Sequence, residues 1–333
     1  MGFERLAPAF EARESGWPGR RRLGAILTEG PRAGDVLDLN GTLAVRLALD
    51  DAGAPEAEAD SLLPSDPLAF LRRFDAALRV ARETLDFARD VLSRWDGPDL
   101  DRAGALRARR DVRLASPVPR PGKIVAVARN YRAHAAEQGE TTPPEEPVIF
   151  LKAPSAVIGP EDDIVLPDAA KEVDYEGELA VVIGRRARRV AAADALDFVA
   201  GYTVANDVSA RDFQGRRGQH FLGKSCDTFA PLGPALVTCD EVPDPQELGI
   251  ETRVSGEMLQ SARTGEMIFP IAELVAFVTR LMTLEPGDVL LTGTPAGVGQ
   301  ARRPPRWLRD GDVVEISIEK VGRLHNYVRS GKD

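Results

Sequence analysis

The residues best suited to chemistry in this chain are acidic and close together. In VDYEGELAVVIG, residues 173–184, Asp174, Glu176 and Glu178 alternate with apolar residues. Read as a strand, the stretch puts these carboxylates on one face and Val173, Tyr175, Leu179, Val181 and Ile183 on the other, because alternate side chains point the same way. Ala180 and Val182 continue the acidic face, so the carboxylates enter at the mouth of a buried strand. Two readings follow: a solvated edge-strand face, or an oxygen site for a hard divalent cation. The cation would be Mg²⁺, Mn²⁺ or Ca²⁺ rather than zinc, since no His or Cys accompanies the acids.

A second group lies in AVARNYRAHAAEQG, residues 126–139. An apolar strand breaks at Arg129-Asn130, and on a short helix after it His134 and Glu137 are neighbours on one face. A carboxylate holding one imidazole nitrogen leaves the other free to take a proton, which is general-base geometry; an ordinary surface pair is the alternative. The GETTPPEEP that follows reads as a loop able to close as a lid. In GYTVANDVSARDFQ, residues 201–214, Asp207 ends an apolar strand. Arg211 and Gln214 follow on one side of any helix that begins there, and Asp207 would also suit a plain helix N-cap. HFLGKSCDTFAPLGP sets Lys224 between Gly223 and Ser225, where an ammonium can approach an anion. LLTGTPAGVG, residues 290–299, has glycines like a phosphate loop but lacks the Lys-Ser/Thr ending. It reads instead as a turn offering backbone N–H groups and Thr294 to a carboxylate. Nothing in the sequence supplies Cys226 with a base, so it carries little weight as a nucleophile.

These residues need elements to hold them. KIVAVA, PVIFLK, DIVLP, ELAVVIG, VAGYTVAND, ALVT, DVLLTGT and DVVEISIE are short apolar runs between turns after Lys123. Too little helix separates them for a doubly wound sheet, so a mixed β-sandwich or roll is predicted. IFPIAELVAFVTRLMTLEPGD inserts one amphipathic helix closed by Pro286-Gly287. Before this region, residues 24–45 read as a small β meander with a hairpin at Asn40-Gly41. Residues 66–95 place Leu68, Leu71, Phe74, Leu78, Leu85 and Val91 at helical spacing, predicting one long helix or two. Residues 96–122, rich in charge, Gly and Pro, read as a linker.

The 333 residues suffice for one large domain or two smaller ones, and 43% hydrophobic residues argue against wholesale disorder. The net charge of −9 argues against nucleic acid as the main partner, because phosphate neutralisation needs a basic footprint. The two cysteines, Cys226 and Cys239, have neither a disulfide framework nor metal-ligand spacing, which fits a reducing cytoplasm. The N-terminus lacks the apolar segment of a signal peptide, and no apolar run approaches the ~18 residues of a membrane span. A soluble cytoplasmic protein with no membrane partner is the expectation.

Taken in order, RNYRAHAAE, PVIFLKAPSAVIGP, DYEGELAVVIG, GYTVANDVSARDFQ, GKSCDTFAPLGP and GDVLLTGTPAGVG resemble the fumarylacetoacetate hydrolase family over about residues 117–327. The resemblance implies an α+β fold: a catalytic mixed β-sandwich roll over 117–330, preceded by a small α/β N-terminal region over 1–116. It implies a homodimer that binds Mg²⁺ or Mn²⁺ and acts on small 2-oxo or 2,4-dioxo acids. On matching positions, Glu176, Glu178 and Asp207 would be metal ligands and Asp174 local structure. His134, Glu137 and Lys224 would be catalytic, with Arg211, Gln214 and Thr294 on the substrate side. The founding fumarylacetoacetate enzymes have an aspartate ligand where this chain has Asn130, which argues against fumarylacetoacetate itself. The expected reaction is hydrolysis of a carbon–carbon bond in an acylpyruvate or a 2,4-diketo-3-deoxy sugar acid. Oxaloacetate decarboxylation, isomerisation or dehydration on the same site are alternatives, as is a keto-acid-binding protein without turnover.

Overall fold

The strand Gly177–Ile183 is buried along its whole length. Leu179, Val181 and Ile183 point into one apolar core, and Ala180 and Val182 into another. Both faces are covered, which is why the run reads as almost continuously apolar. In the computed structural model, which describes residues 3–12, 22–95, 98–140, 142, 144–215 and 219–331, this strand lies at the centre of a mixed seven-stranded sheet. The order is Val148–Lys152, Ile124–Ala128, Val289–Leu291, Gly177–Ile183, Val199–Asn206, Ala230–Thr238, Val157–Ile158. A second sheet runs Glu257–Arg263, Gly249–Val254, Val313–Ile318, Gly322–Ser330, Ile164–Leu166. Leu179, Val181 and Val204 of the first sheet pack with Ile250, Ile316 and Leu324 of the second, forming the predicted sandwich. The helix Ile271–Leu281 buries Ile271, Leu274, Val275 and Val278 in the same core. It ends before Pro286-Gly287, which instead turn the chain into the strand Val289–Leu291.

The other face of the seven-stranded sheet is covered by the N-terminal region. Ala126, Ala180, Val182, Ala205 and Leu291 share a cluster with Leu23, Phe70, Leu71, Ala77 and Ala81. The predicted boundary near 117 falls between the strands Val112–Ala115 and Ile124–Ala128. Residues 67–95 form two helices, Pro67–Arg72 and Phe74–Trp95.

Two local expectations are corrected. Asn40-Gly41 is not a hairpin turn but lies in the first turn of the helix Leu39–Leu49. Asp38 caps that helix by accepting from the Gly41 N–H at 3.0 Å, and Asn40 is turned inward to donate to the Leu63 carbonyl. A side-chain cap outcompetes the turn dipeptide here. Residues 96–122 are not a bare linker: they contain the helix Pro98–Arg102 and the strands Leu106–Arg107 and Val112–Ala115. Val112–Ala115 pairs with Phe3–Ala12, with Ala9 opposite Ala115. Gly and Pro in this stretch mark turns between short elements.

Candidate active site

Strand register builds the acidic cluster. Gly177 pairs with Asn206 across two antiparallel strands, and the Asp207 N–H donates to the Glu176 carbonyl at 2.9 Å. Glu176 and Glu178 flank one strand's entry, so this register sets Asp207 against them. The three carboxylates are buried, and one oxygen from each lies within 4.8 Å of the other two. Asp174 leaves the face that strict alternation predicted. The chain is regular only at Val173–Asp174 and resumes at Gly177, and Asp174 turns instead toward Arg211 and the N–H groups of Gly299 and Gln300.

Around the cluster opens a cavity of about 850 Å³, lined among others by His134, Arg211, Gln214, Lys224, Thr294 and Phe150. His134 sits on the short helix Arg132–Glu137 that follows the first sheet strand. Its Nδ1 lies 2.6 Å from Glu137 Oε1, and the other Glu137 oxygen accepts from the Gly297 N–H at 2.9 Å. The carboxylate is thereby fixed at both ends and commits Nδ1, leaving Nε2 for the cavity. The loop predicted after this helix includes residues 141 and 143, which lie outside the described residues. Arg211 opens the four-residue helix Arg211–Gln214, so Asp207 is not its N-cap. The guanidinium donates to Asp174 at 2.9 Å, to Glu176 at 2.5 Å and to Gln214 at 2.9 Å. Lys224 ends the helix His220–Lys224; it donates to Glu176 and, at 2.6 Å, to Asp207. Thr294 lines the cavity, yet its hydroxyl donates to the Gly177 carbonyl at 2.9 Å and accepts from Gln260 at 2.8 Å.

One contributor was not anticipated. Lys152, last residue of Val148–Lys152, is fully buried and donates to Asp207 at 2.5 Å and to the Val208 carbonyl at 3.1 Å. The available signal was alternation: Lys152 is two residues beyond Phe150, itself a cavity residue. Gly293 belongs to the turn expected to offer backbone N–H groups to a carboxylate, and its N–H donates to Glu178 at 2.7 Å. It has φ +94°, and a Cβ there would lie 2.7 Å from that of Asn130, so only glycine lets the backbone come so close. Asn130 itself is structural: its amide bridges the Phe269 and Thr292 carbonyls and accepts from the Phe269 N–H.

Four buried carboxylates, Asp174, Glu176, Glu178 and Asp207, face three buried cations, Lys152, Arg211 and Lys224. Burial disfavours ionised Glu176, but Arg211 and Lys224 override it and hold the carboxyl well below its usual range. Lys224 is raised, burial being outweighed by Asp207 and Glu176. Burial lowers Lys152 despite Asp207, and raises Asp174 despite Arg211. Glu178 is the uncompensated member. Burial first, then the charges of Asp207 and Glu176, push it far above the usual carboxylate range. A site with one surplus buried carboxylate and oxygen donors only fits a hard divalent cation, the Mg²⁺ or Mn²⁺ expectation.

Fold and site together are a curled two-sheet scaffold that brings a buried carboxylate cluster and a histidine–carboxylate pair onto one cavity. The chain belongs to the fumarylacetoacetate hydrolase family: residues 123–329 match the fumarylacetoacetate (FAA) hydrolase C-terminal domain. Among curated relatives, oxaloacetate tautomerase Fahd2a, mitochondrial, of Rattus norvegicus is 46% identical over 270 residues, 81% of each chain. Among solved structures, 5-carboxymethyl-2-hydroxymuconate delta-isomerase from Mycobacterium smegmatis superposes with a TM-score of 0.61 at 46% identity, covering 68% of this chain and 86% of that one. Fumarylacetoacetate hydrolase from psychrophilic Exiguobacterium antarcticum superposes with a TM-score of 0.71 at 34% identity, covering 98% and 99%. Among the described residues, no helix is long and apolar enough to cross a membrane.

Proposed function

We propose that this protein interconverts the keto and enol forms of a small 2-oxo dicarboxylic acid such as oxaloacetate, with a divalent cation held by Glu176, Glu178 and Asp207. When bound, the cation supplies Lewis-acid charge that makes the carbon beside a 2-oxo group more acidic. Arg211, oriented by Asp174 and Gln214, offers its guanidinium to the substrate carboxylate. His134 Nε2 takes the proton from the carbon in one direction and from the enol oxygen in the other, and returns it at the opposite end. Glu137 holds the imidazole in one orientation and stabilises its protonated form. Lys224 has three N–H donors, of which two rest on Glu176 and Asp207; the third is available to negative charge developing on the substrate oxygen.

The observation that carries this reading is the 2.6 Å His134–Glu137 pair on the same cavity as the carboxylate cluster. The tautomerase relative and the isomerase neighbour support it, since both names describe proton transfer without an attacking water. The hydrolytic reading is second, supported by the hydrolase neighbour. The same base would then deprotonate a water that attacks the C4 carbonyl of an acylpyruvate.

Ultraviolet decay of enol-oxaloacetate, followed with Mg²⁺, Mn²⁺ or EDTA, tests the proposal. The wild type should speed the decay without accumulating pyruvate, and His134→Ala and Glu137→Gln should each lose on the order of 10²–10³ of that rate. Two organic acids formed from an acylpyruvate would establish hydrolysis instead, and pyruvate with CO₂ from oxaloacetate would establish decarboxylation. Undiminished tautomerisation by His134→Ala would remove the assigned base.

A further inference from the structure

We propose that Asp174 is a positioning residue, a single buried carboxylate that aims Arg211 at the substrate carboxylate and at the same time docks the turn 297–300 against which Glu137 is held. The substrate half of this statement rests on the keto-acid reading above; the geometry does not. Asp174 is completely buried. Its Oδ1 accepts from the Gly299 N–H at 2.7 Å and from the Tyr175 N–H at 2.9 Å. Its Oδ2 accepts from the Gln300 N–H at 3.1 Å and from Arg211 Nε at 2.9 Å. All four partners are donors, so both oxygens act only as acceptors, the behaviour of a carboxylate.

Two consequences follow from where those donors lead. Gly299 is two residues from Gly297, whose N–H holds Glu137, while Tyr175 donates its hydroxyl to the Gly297 carbonyl at 3.0 Å. Asp174 and Tyr175 therefore anchor the turn that anchors Glu137. The docking is tight: a Cβ on Gly299 would lie 2.0 Å from the Arg306 carbonyl oxygen and 2.7 Å from Asp174 Oδ1. On the other side, Arg211 reaches Glu176, but Lys224 occupies that carboxylate too. Asp174 gives the guanidinium a counter-charge outside the cation-binding cluster, so its direction does not depend on what Glu176 holds. One side chain thus ties the proton-transfer pair to the anion-binding arginine.

Asp174→Asn is nearly isosteric and removes the charge. It should raise KM for the 2-oxo acid about tenfold or more while lowering kcat less. Mn²⁺ binding measured with the metal alone should stay within a factor of two or three, because none of the three candidate ligands is altered. On an Arg211→Lys background, Asp174→Asn should add little further to KM, whereas an independent structural role would make the two effects multiply. Pyruvate binding in the presence of Mn²⁺, read calorimetrically, separates the claim from the proposed reaction. If the wild type turns over nothing, a tenfold weaker pyruvate complex in Asp174→Asn still upholds the positioning role. Should Asp174→Asn fail to fold, Asp174→Glu keeps the charge but displaces it by one methylene, and must show the same loss of pyruvate affinity with Mn²⁺ binding retained. Unchanged pyruvate affinity in the folded variant, or KM effects that multiply with Arg211→Lys, would overturn it.

Discussion

Replacing Glu178 by glutamine should make the cation-free protein more stable and abolish its stabilisation by Mn²⁺. Without a cation, four buried carboxylates face three buried cations, and Glu178 is the one whose only hydrogen-bond donor among the described residues is the Gly293 N–H. Its pKa is raised in the folded protein by burial and by the charges of Asp207 and Glu176. A carboxyl raised on folding binds its proton more tightly in the folded state. It therefore costs stability at any pH above its unfolded value, and the cost fades as pH falls through the folded value. Glutamine keeps an oxygen for the Gly293 N–H and turns an NH₂ toward Glu176 and Asp207, so the surplus charge disappears while the hydrogen bond remains. The cation supplies the same relief to the wild type. At a hundred times its Kd, Mn²⁺ should add about 2.7 kcal/mol, a rise of roughly 4 °C in Tm for a chain of this size. Thermal melts of wild type and Glu178→Gln, each with EDTA and with Mn²⁺ from pH 5.5 to 8, provide the assay. The variant should melt higher than the wild type in EDTA at pH 8, the gap should narrow toward pH 5.5, and Mn²⁺ should shift only the wild type. A variant that melts lower in EDTA at pH 8 would refute the charge argument. A variant with the full Mn²⁺ shift would refute Glu178 as a ligand.

Lys152→Met should destabilise the fold by about 3 kcal/mol, because it strips a buried partner from Asp207; a urea midpoint change worth less than about 1 kcal/mol would mean that burial already leaves this lysine neutral. Cys239 donates its S–H to the Val199 carbonyl, and burial pushes its pKa up to about 11. Its thiolate fraction at pH 8 is then on the order of 10⁻³, so iodoacetamide should modify it far more slowly than a small-molecule thiol. Val148 and Leu151 are exposed on a strand that ends the seven-stranded sheet, and Phe221 and Leu222 are exposed on the neighbouring helix. We expect this surface to be covered in a homodimer; light scattering should give twice the chain mass of 36.0 kDa, and Phe221→Glu should reduce it to one.

Much of the catalytic region could be read in advance, because its site residues stand at the ends of strands with strong local patterns. Glu176, Glu178 and Asp207 were visible as acids flanking apolar runs. Their meeting depends on Gly177 pairing with Asn206, and strand register between segments about thirty residues apart has no local signature. Lys152 was hidden because a lysine closing an apolar run also suits a solvated strand end. The hairpin Gly249–Val254 to Glu257–Arg263 has only the dipeptide Ser255-Gly256 as its local signal, and both residues take the positive φ of a tight hairpin turn. Gly249–Val254 does alternate, with Ile250, Thr252 and Val254 buried between outward Glu251 and Arg253, but the run is short and its partner Glu257–Arg263 is mostly polar, so the pair reads as loop. In the N-terminal region the Asn40-Gly41 signal was local and misleading, because Asp38, two residues earlier, supplies a helix cap that pairwise turn preferences do not weigh.

The division of labour within the site bears on how one scaffold serves a tautomerase, an isomerase and a hydrolase. The side that binds is rigid. Glu178 stands on one of two paired strands with Glu176 and Asp207 at their ends, Gly293 is pinned against Asn130, and Arg211 is clamped by Asp174. The side assigned to proton transfer is one short helix. His134 and Glu137 ride on a six-residue helix held by buried Tyr131 and Ala135, by the hydrogen bonds of Asn130 just before it, by the Gly297 N–H and by the bridge from Tyr131 to Met267. On the proposed function, a shift of that helix by about 1 Å would decide whether Nε2 meets a substrate carbon or a water held in front of it, because near-attack distances of about 3–3.5 Å leave no room for both. Reaction type can therefore diverge while the acidic cluster stays fixed, and the residues that choose between tautomerisation and hydrolysis should be sought around Arg132–Glu137 and the turn 297–300 rather than among the carboxylates.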